Sequence, residues 1–243
     1  MQVTNLSYFY ERSKKVRGGK WVWVKDSNGE QRGNVLLGGT IENPKKGFEH
    51  LYAAQLVQYT PGQQCLIFRS YLATAVTGET KKFTISADGY SDVPEVGMVL
   101  MIAPESLYVE TFTTDDQTGE IKREVDNYTG QSGKVTNVEY DEENDVFVVT
   151  VDAALGFNLG NAAILVEAEG DEASATAEVL VPNPNTFIEA DRDLMPTEGY
   201  GIENANYSIS TVYNKQAWIE RMQPLPEYVL ANNRSLIAGI FWI

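Results

Sequence analysis

Between Val93 and Gly170 short apolar runs alternate with polar turns: V-P-E-V-G-M-V-L-M-I, then G-K-V-T-N-V-E-Y-D-E-E-N-D-V-F-V-V-T-V, then L-G-N-A-A-I-L-V-E-A-E-G. Runs rich in Val, Ile and Tyr, punctuated by Gly, Pro, Asn and Asp, are the pattern of a small antiparallel barrel or sandwich. Strands are expected at Met98–Ala103, Val135–Tyr140, Val146–Asp152 and Ala162–Ala168, with D-E-E-N as a tight hairpin turn. Leu107–Thr113 and Glu120–Asn127 form a further hairpin. Its alternation and its polar tip T-D-D-Q-T-G predict arms that project beyond the sheet.

The flanks are also strand-like. Residues 1–19 are polar and basic and end in a Gly pair, which predicts an extended arm. Lys20–Val24 reads as a strand with Trp21 and Trp23 on one face, followed by a turn at Asp26–Gly29 and a return at Val35–Leu37. Two Trp at period two fit a core or subunit contact better than a platform for a sugar or base. Phe48, Leu51, Tyr52 and Leu56 fall at helical spacing and predict an amphipathic helix over Phe48–Tyr59, with a strand from Ala53 as the alternative. Cys65–Leu72 and Lys82–Ala87 are expected strands.

Asp171–Thr176 is small and polar, and so marks a boundary; Ala177–Val181 is a short strand, and P-N-P-N then interrupts regular structure. Strands follow at Tyr207–Tyr213 and Ala217–Met222, a short helix starts after Pro226, and the chain ends on the apolar run S-L-I-A-G-I-F-W-I. The expected fold is therefore mainly β, antiparallel barrel or sandwich modules with one or two short helices. Its regions are a basic arm (1–19), an N-terminal β region (20–92), the barrel module (93–170) and a C-terminal β region (171–243).

Charge changes this picture by giving the chain two ends. The net charge is −15, yet residues 86–200 hold 4 Lys/Arg against 25 Asp/Glu, a net −21, while residues 1–50 hold 9 against 5. Such a middle repels nucleic acid. Arg12, Lys14, Lys15, Arg17 and Lys20, with Trp21 and Trp23 beside them, are the candidate contacts to an acidic partner. The apolar Ile240, Phe241, Trp242 and Ile243 are candidate subunit contacts, since such an end is not left in water. No apolar run approaches the ~18 residues of a membrane span, and the opening lacks the apolar core and cleavage site of a secretory signal, so no membrane partner is expected. The four Asn-x-Ser/Thr sequons are then chance matches.

Chemistry-bearing motifs are few. His50 is the only histidine and Cys65 the only cysteine, so neither a zinc set nor a disulfide framework can form within the chain, and Cys65 in C-L-I-F reads as strand core. Neither a phosphate-binding loop nor a dinucleotide fingerprint occurs. D-D-Q-T-G and D-E-E-N-D lack the spacing of a calcium loop and read as solvated turns. With 34 acidic residues, any one carboxylate pair says nothing about glycoside hydrolysis. No enzyme activity and no cofactor are expected.

Three segments carry a likeness: F-T-I-S-A-D-G-Y-S-D-V-P-E-V-G-M-V-L, S-G-K-V-T-N-V and the ending L-P-E-Y-V-L-A-N-N-R-S-L-I-A-G-I-F-W-I. Over residues 83–243 the chain resembles virion proteins of tailed bacteriophages, of the head-decoration or head-fibre type. The resemblance implies a non-enzymatic, mainly-β, trimeric protein that assembles on a capsid shell in the host cytoplasm, with the major capsid protein or another virion protein as partner. The basic arm departs from compact decoration proteins. The alternative expectation is a carbohydrate- or receptor-binding β-module of a phage tail or fibre.

Overall fold

The computed structural model describes residues 22–24, 35–41, 49–87, 93–114, 118, 121–157, 162–170, 176–194, 207–213, 215–234 and 236–238. Among the described residues the strands begin with β1 (Val35–Ile41), β2 (Glu49–Leu51), β3 (Leu56–Gln58), β4 (Leu66–Ile67), β5 (Ser70–Ala75) and β6 (Lys82–Ser86). Next come β7 (Val99–Ile102), β8 (Tyr108–Thr114), β9 (Ile121–Asn127), β10 (Gly130–Asp141), β11 (Val146–Val151) and β12 (Ala162–Glu169). The last are β13 (Thr176–Val179), β14 (Thr186–Ile188), β15 (Arg192–Leu194), β16 (Tyr207–Tyr213), β17 (Ala217–Trp218) and β18 (Ile237–Ala238). Among the described residues one α-helix, α1 (Glu227–Asn233), follows Pro226, where the sequence places it. The fold is mainly β, as the alternation predicts.

Six strands close on themselves. β11 pairs with β6, β6 with β5, β5 with β12, β12 with β7, β7 with β10 and β10 with β11, all antiparallel. Closure leaves this ring no free edge. Alternate residues turn inward, so Tyr71, Phe83, Ile85, Leu100, Phe147, Val149 and Leu165 share one buried cluster with Val135 and Val151. A six-stranded ring is narrower than the eight-stranded barrels whose lumen side chains just fill, so its interior is core rather than a ligand cavity.

Two features bend β10 around the ring. The register shifts between Val135 and Asn137, a bulge that increases local twist. Gly133 lets the barrel wall close, because a Cβ there would meet the Ala153 carbonyl oxygen at 2.7 Å. The barrel also reaches outside the limits set for it in sequence. β5 and β6, assigned to the N-terminal region, form a third of the ring, and β13 bridges β12 and β10 at one rim. Alternation marks a strand but does not name its partner across 60–80 residues of chain.

The second layer is the antiparallel sheet β1-β16-β14-β3-β4. One face carries Leu56, Phe187 and Val212 into a cluster shared with Trp23, Met101, Val166, Val229 and Ile237. The opposite face buries Ile41, Val57, Ile188 and Ile209 with Cys65. The chain passes from this sheet to the barrel at Phe68–Arg69, between β4 and β5. The expected strand over Cys65–Leu72 is therefore two strands in different sheets.

The helix expected over Phe48–Tyr59 gives way to its strand alternative, which holds at β3, and the strand expected over Ala217–Met222 holds only at its start. In the described part of Phe48–Tyr59 there is no helix but β2 and β3 around a turn, with Ala54 at φ 65° and its N–H donating to the Ile188 carbonyl at 2.8 Å. Leu51 and Leu56 are buried from separate strands, so their helical spacing is coincidental. Ala217–Met222 is strand only through Trp218, after which Ile219–Arg221 form a single 3-10 turn. Nearby, β17 and β18 run parallel, and Trp23 bridges Ala217 on the other side.

Gly39 shows how close the packing is. A Cβ at this position would lie 2.6 Å from the Cys65 Sγ, while the Cys65 N–H donates to the Thr40 carbonyl at 2.7 Å and holds the thiol in place. Gly39→Ala is expected to cost about 1–3 kcal/mol by overpacking. In the double variant with Cys65→Ala the clash disappears, so the pair should cost clearly less than the sum of the singles in urea denaturation. Strict additivity would mean that the two sites are not in contact.

Candidate interaction surface

The hairpin β8–β9 pairs its backbone only with itself among the described strands, and all fourteen of its residues are exposed. Its root is fixed. The Tyr128 N–H donates to the Leu107 carbonyl at 2.8 Å, both side chains pack on the central cluster, and Asn127 Nδ2 donates to Glu178 on β13 at 3.2 Å. Gly130 allows this seating, since a Cβ there would lie 2.7 Å from Met101 and 3.0 Å from Tyr128. Beyond the root the ribbon stands away from the barrel, as expected from its alternation.

Register sorts its side chains onto two faces. Phe112 is opposite Arg123, Glu110 opposite Val125, Tyr108 opposite Asn127 and Thr114 opposite Ile121, and directly opposed residues point the same way. One face therefore presents Tyr108, Phe112, Val125 and Ile121 around an ion pair between Glu110 and Arg123. The other carries Val109, Thr111, Thr113, Lys122, Glu124 and Asp126. Phe112 is 64% and Ile121 68% exposed. Arg123 Nε also donates to Glu110 at 3.2 Å, and this hydrogen bond, more than the charge of the carboxylate, holds the guanidinium above its ordinary pKa.

The acidic turn between β10 and β11 has an internal purpose. Asp141 accepts hydrogen bonds from the Glu143 and Asn144 N–H groups at 3.0 and 3.3 Å and from Asn144 Nδ2 at 2.7 Å. The Asn144 side-chain bond is the main reason its carboxyl is held below the usual value. Asp145 takes φ 53° to complete the turn. Its carboxylate accepts from the Tyr140 hydroxyl at 2.6 Å, so these groups are occupied in turn formation. Among the described residues no three His, Cys, Asp or Glu come together as a metal set.

Of the sequence-nominated contacts only Trp23 lies among the described residues, and it is not a surface contact. It is 4% exposed, sits edge-on to Phe187 with centroids 6.0 Å apart, and donates from Nε1 to the Glu189 carbonyl at 3.2 Å. Its partnering is intrachain because β17 lies against it. Arg12, Lys14, Lys15, Arg17, Lys20 and Trp21, and likewise Ile240, Phe241, Trp242 and Ile243, lie outside the described residues. His50 is in β2, opposite Asp193 in register. Cys65 is buried, and burial pushes its thiol pKa up, away from reactivity.

Sequence reasoning missed the buried polar groups of Lys215, Glu167 and Tyr228 and the half-buried Arg69. Lys215 is almost fully buried with Nζ 4.2 Å from the centroid of the Trp23 ring; burial lowers its pKa, and Glu189 pulls the other way. Arg69 and Glu167 form an ion pair at 3.1 Å where sheet and barrel meet. The Tyr228 hydroxyl is buried without a hydrogen-bond partner among the described residues, and its pKa is raised by burial alone. Of these, the Arg69–Glu167 pair ties the sheet to the barrel. Lys215 sits in a polar loop sequence, N-K-Q-A-W, where no local signal marks burial.

Comparison with known proteins gives no relative: no family model, curated protein or solved structure matches the chain.

Proposed function

We propose that this chain is a non-enzymatic structural protein of a tailed-phage virion, attached to the capsid and decorating or stabilising its shell. The supporting observation is the exposed β8–β9 ribbon rooted in a closed barrel whose interior is core, an arrangement that offers surface to partners rather than a chamber to substrates. Charge adds a direction. The −21 stretch supplies a solvated face, and the basic opening through Arg12, Lys14, Lys15, Arg17 and Lys20 supplies an attachment end for the acidic surface of a major capsid protein or another virion protein. By resemblance the assembly is a homo-oligomer, with a trimer favoured and the terminal Ile240–Ile243 at its contact.

Co-sedimentation with purified capsid shells tests this reading. The full chain should pellet with shells to a saturating ratio, and a variant lacking residues 1–20 should remain in the supernatant; loss of binding between 50 and 500 mM salt, roughly, fits the charge argument. A full-length chain left in the supernatant at low salt would overturn it. Exposed Tyr108 and Phe112 flanking Glu110 favour a second reading, a carbohydrate-binding module, for which a glycan array is the direct assay.

A further inference from the structure

We infer that the apolar face of the β8–β9 ribbon is a two-fold contact with a second copy of this chain. Five of the ten large apolar side chains most exposed among the described residues lie on this one hairpin, and four of them share a face. A two-stranded ribbon on its own is marginal in water. Tyr108, Phe112, Ile121 and Val125 together present on the order of 400 Å² of apolar surface, within the roughly 300–600 Å² of a monomer's largest patch, which is often a functional one.

Charge selects the occupant. The face is neutral, one cation and one anion side by side in Arg123 and Glu110, within a stretch that is otherwise net −21. Nucleic acid and anionic lipid are repelled by that surrounding field, and a basic partner is drawn to the opposite face, where Glu124 and Asp126 outnumber Lys122. A second copy has the matching pattern. A two-fold axis lying in the contact plane stacks apolar side chain on apolar side chain and brings each Arg123 to the other copy's Glu110, the self-complementarity that an isologous interface requires. Elsewhere on residues 86–200 two copies repel, so this neutral patch is the place where they can meet.

Area sets the strength. About 400 Å² per copy is roughly half of the ~800 Å² a stable complex buries on each partner, so the contact is weak and concentration-dependent. It suits a link between neighbouring subunits held on a common surface, and it is separate from any contact made by the chain end. The inference does not depend on capsid attachment.

The test uses two charge-reversal variants of the full chain, Glu110→Lys and Arg123→Glu, in sedimentation-velocity and light-scattering mass measurements from about 1 to 200 μM, a span placed around the micromolar range expected of a small interface. The wild type should reach twice the mass of either variant alone, because each variant opposes like charges across the contact. An equimolar mixture of the two should regain the wild-type mass, since a doubly positive face then meets a doubly negative one; this regain also establishes that both variants are folded. Equal masses for wild type and variants at every concentration would overturn the inference, as would a mixture that stays at the variant mass. A wild type that never exceeds the variants' mass but scores on a glycan array would assign the face to a sugar instead.

Discussion

Trp23→Ala is expected to lower stability by about 3–5 kcal/mol, the range for deleting a large aromatic from a core. Three things go together. The edge-on contact with Phe187 is lost, the Glu189 carbonyl loses its indole donor, and the Lys215 ammonium loses the ring beneath it and is left buried. The last effect distinguishes Trp23→Ala from an ordinary cavity. Burial lowers the Lys215 pKa in the folded chain, so the unfolded chain binds more protons in the window below its ordinary value of 10.5. Stability therefore rises with pH through that window, and without the ring the rise should be steeper. Urea denaturation at pH 7 and pH 9.5 reads both terms. A loss under about 1 kcal/mol, below even mild core truncations, would mean that residues 22–24 are not part of the core.

Glu167→Ala is expected to cost about 3 kcal/mol, because it removes the carboxylate that faces a half-buried guanidinium. Arg69 Nη1 lies 3.1 and 3.3 Å from the two carboxylate oxygens, and the side chains keep only 19% and 8% of their exposure. The pair lies at the crossing from β4 to β5. There the Ser70 hydroxyl donates to the Pro224 carbonyl, and Gln223 Nε2 donates to the Phe68 carbonyl at 2.9 Å. Replacing both partners together, Arg69→Met with Glu167→Leu, should restore most of the loss, since well-packed apolar groups substitute for buried ion pairs at little cost. A double variant as unstable as Glu167→Ala would show that Arg69 acts through other contacts.

Both sites bear on what was legible in the sequence. Local alternation was enough for the barrel strands and for the ribbon: V-F-V-V-T-V and L-Y-V-E-T-F-T carry their own period of two, and the helix after Pro226 has its own start signal. Pairing was not legible. S-Y-L-A-T-A and K-F-T-I-S look like strands wherever they are, and only closure against β12 and β11 puts them in the barrel. The spacing of Phe48, Leu51, Tyr52 and Leu56 misled because a turn at Ala53–Ala54 separates two strands, and Leu51 and Leu56 are buried from different ones. T-F-I at β14 was overlooked because three residues carry no periodicity, although all three are buried.

The candidate surface was half legible for a similar reason. Projection of the ribbon follows from its polarity, whereas the gathering of Tyr108, Phe112, Val125 and Ile121 on one side requires the register Phe112 to Arg123, which the turn sets. Trp23 is core, the reading its strand spacing favours, and it drops out as a partner contact because period two identifies a shared face without saying whether that face looks inward. Burial of Lys215 and Glu167 is invisible locally, since charged residues are almost never fully buried without a partner and their partners, Trp23 and Arg69, are distant in the chain.

Electron cryo-microscopy of the native particle tests the proposed attachment most directly. The account predicts density for a six-stranded barrel on the outside of the shell, its basic chain end directed at the capsid surface and its β8–β9 ribbons meeting in pairs between neighbouring copies. A fully interpreted shell with no such density, from particles whose protein inventory includes this chain, would contradict it.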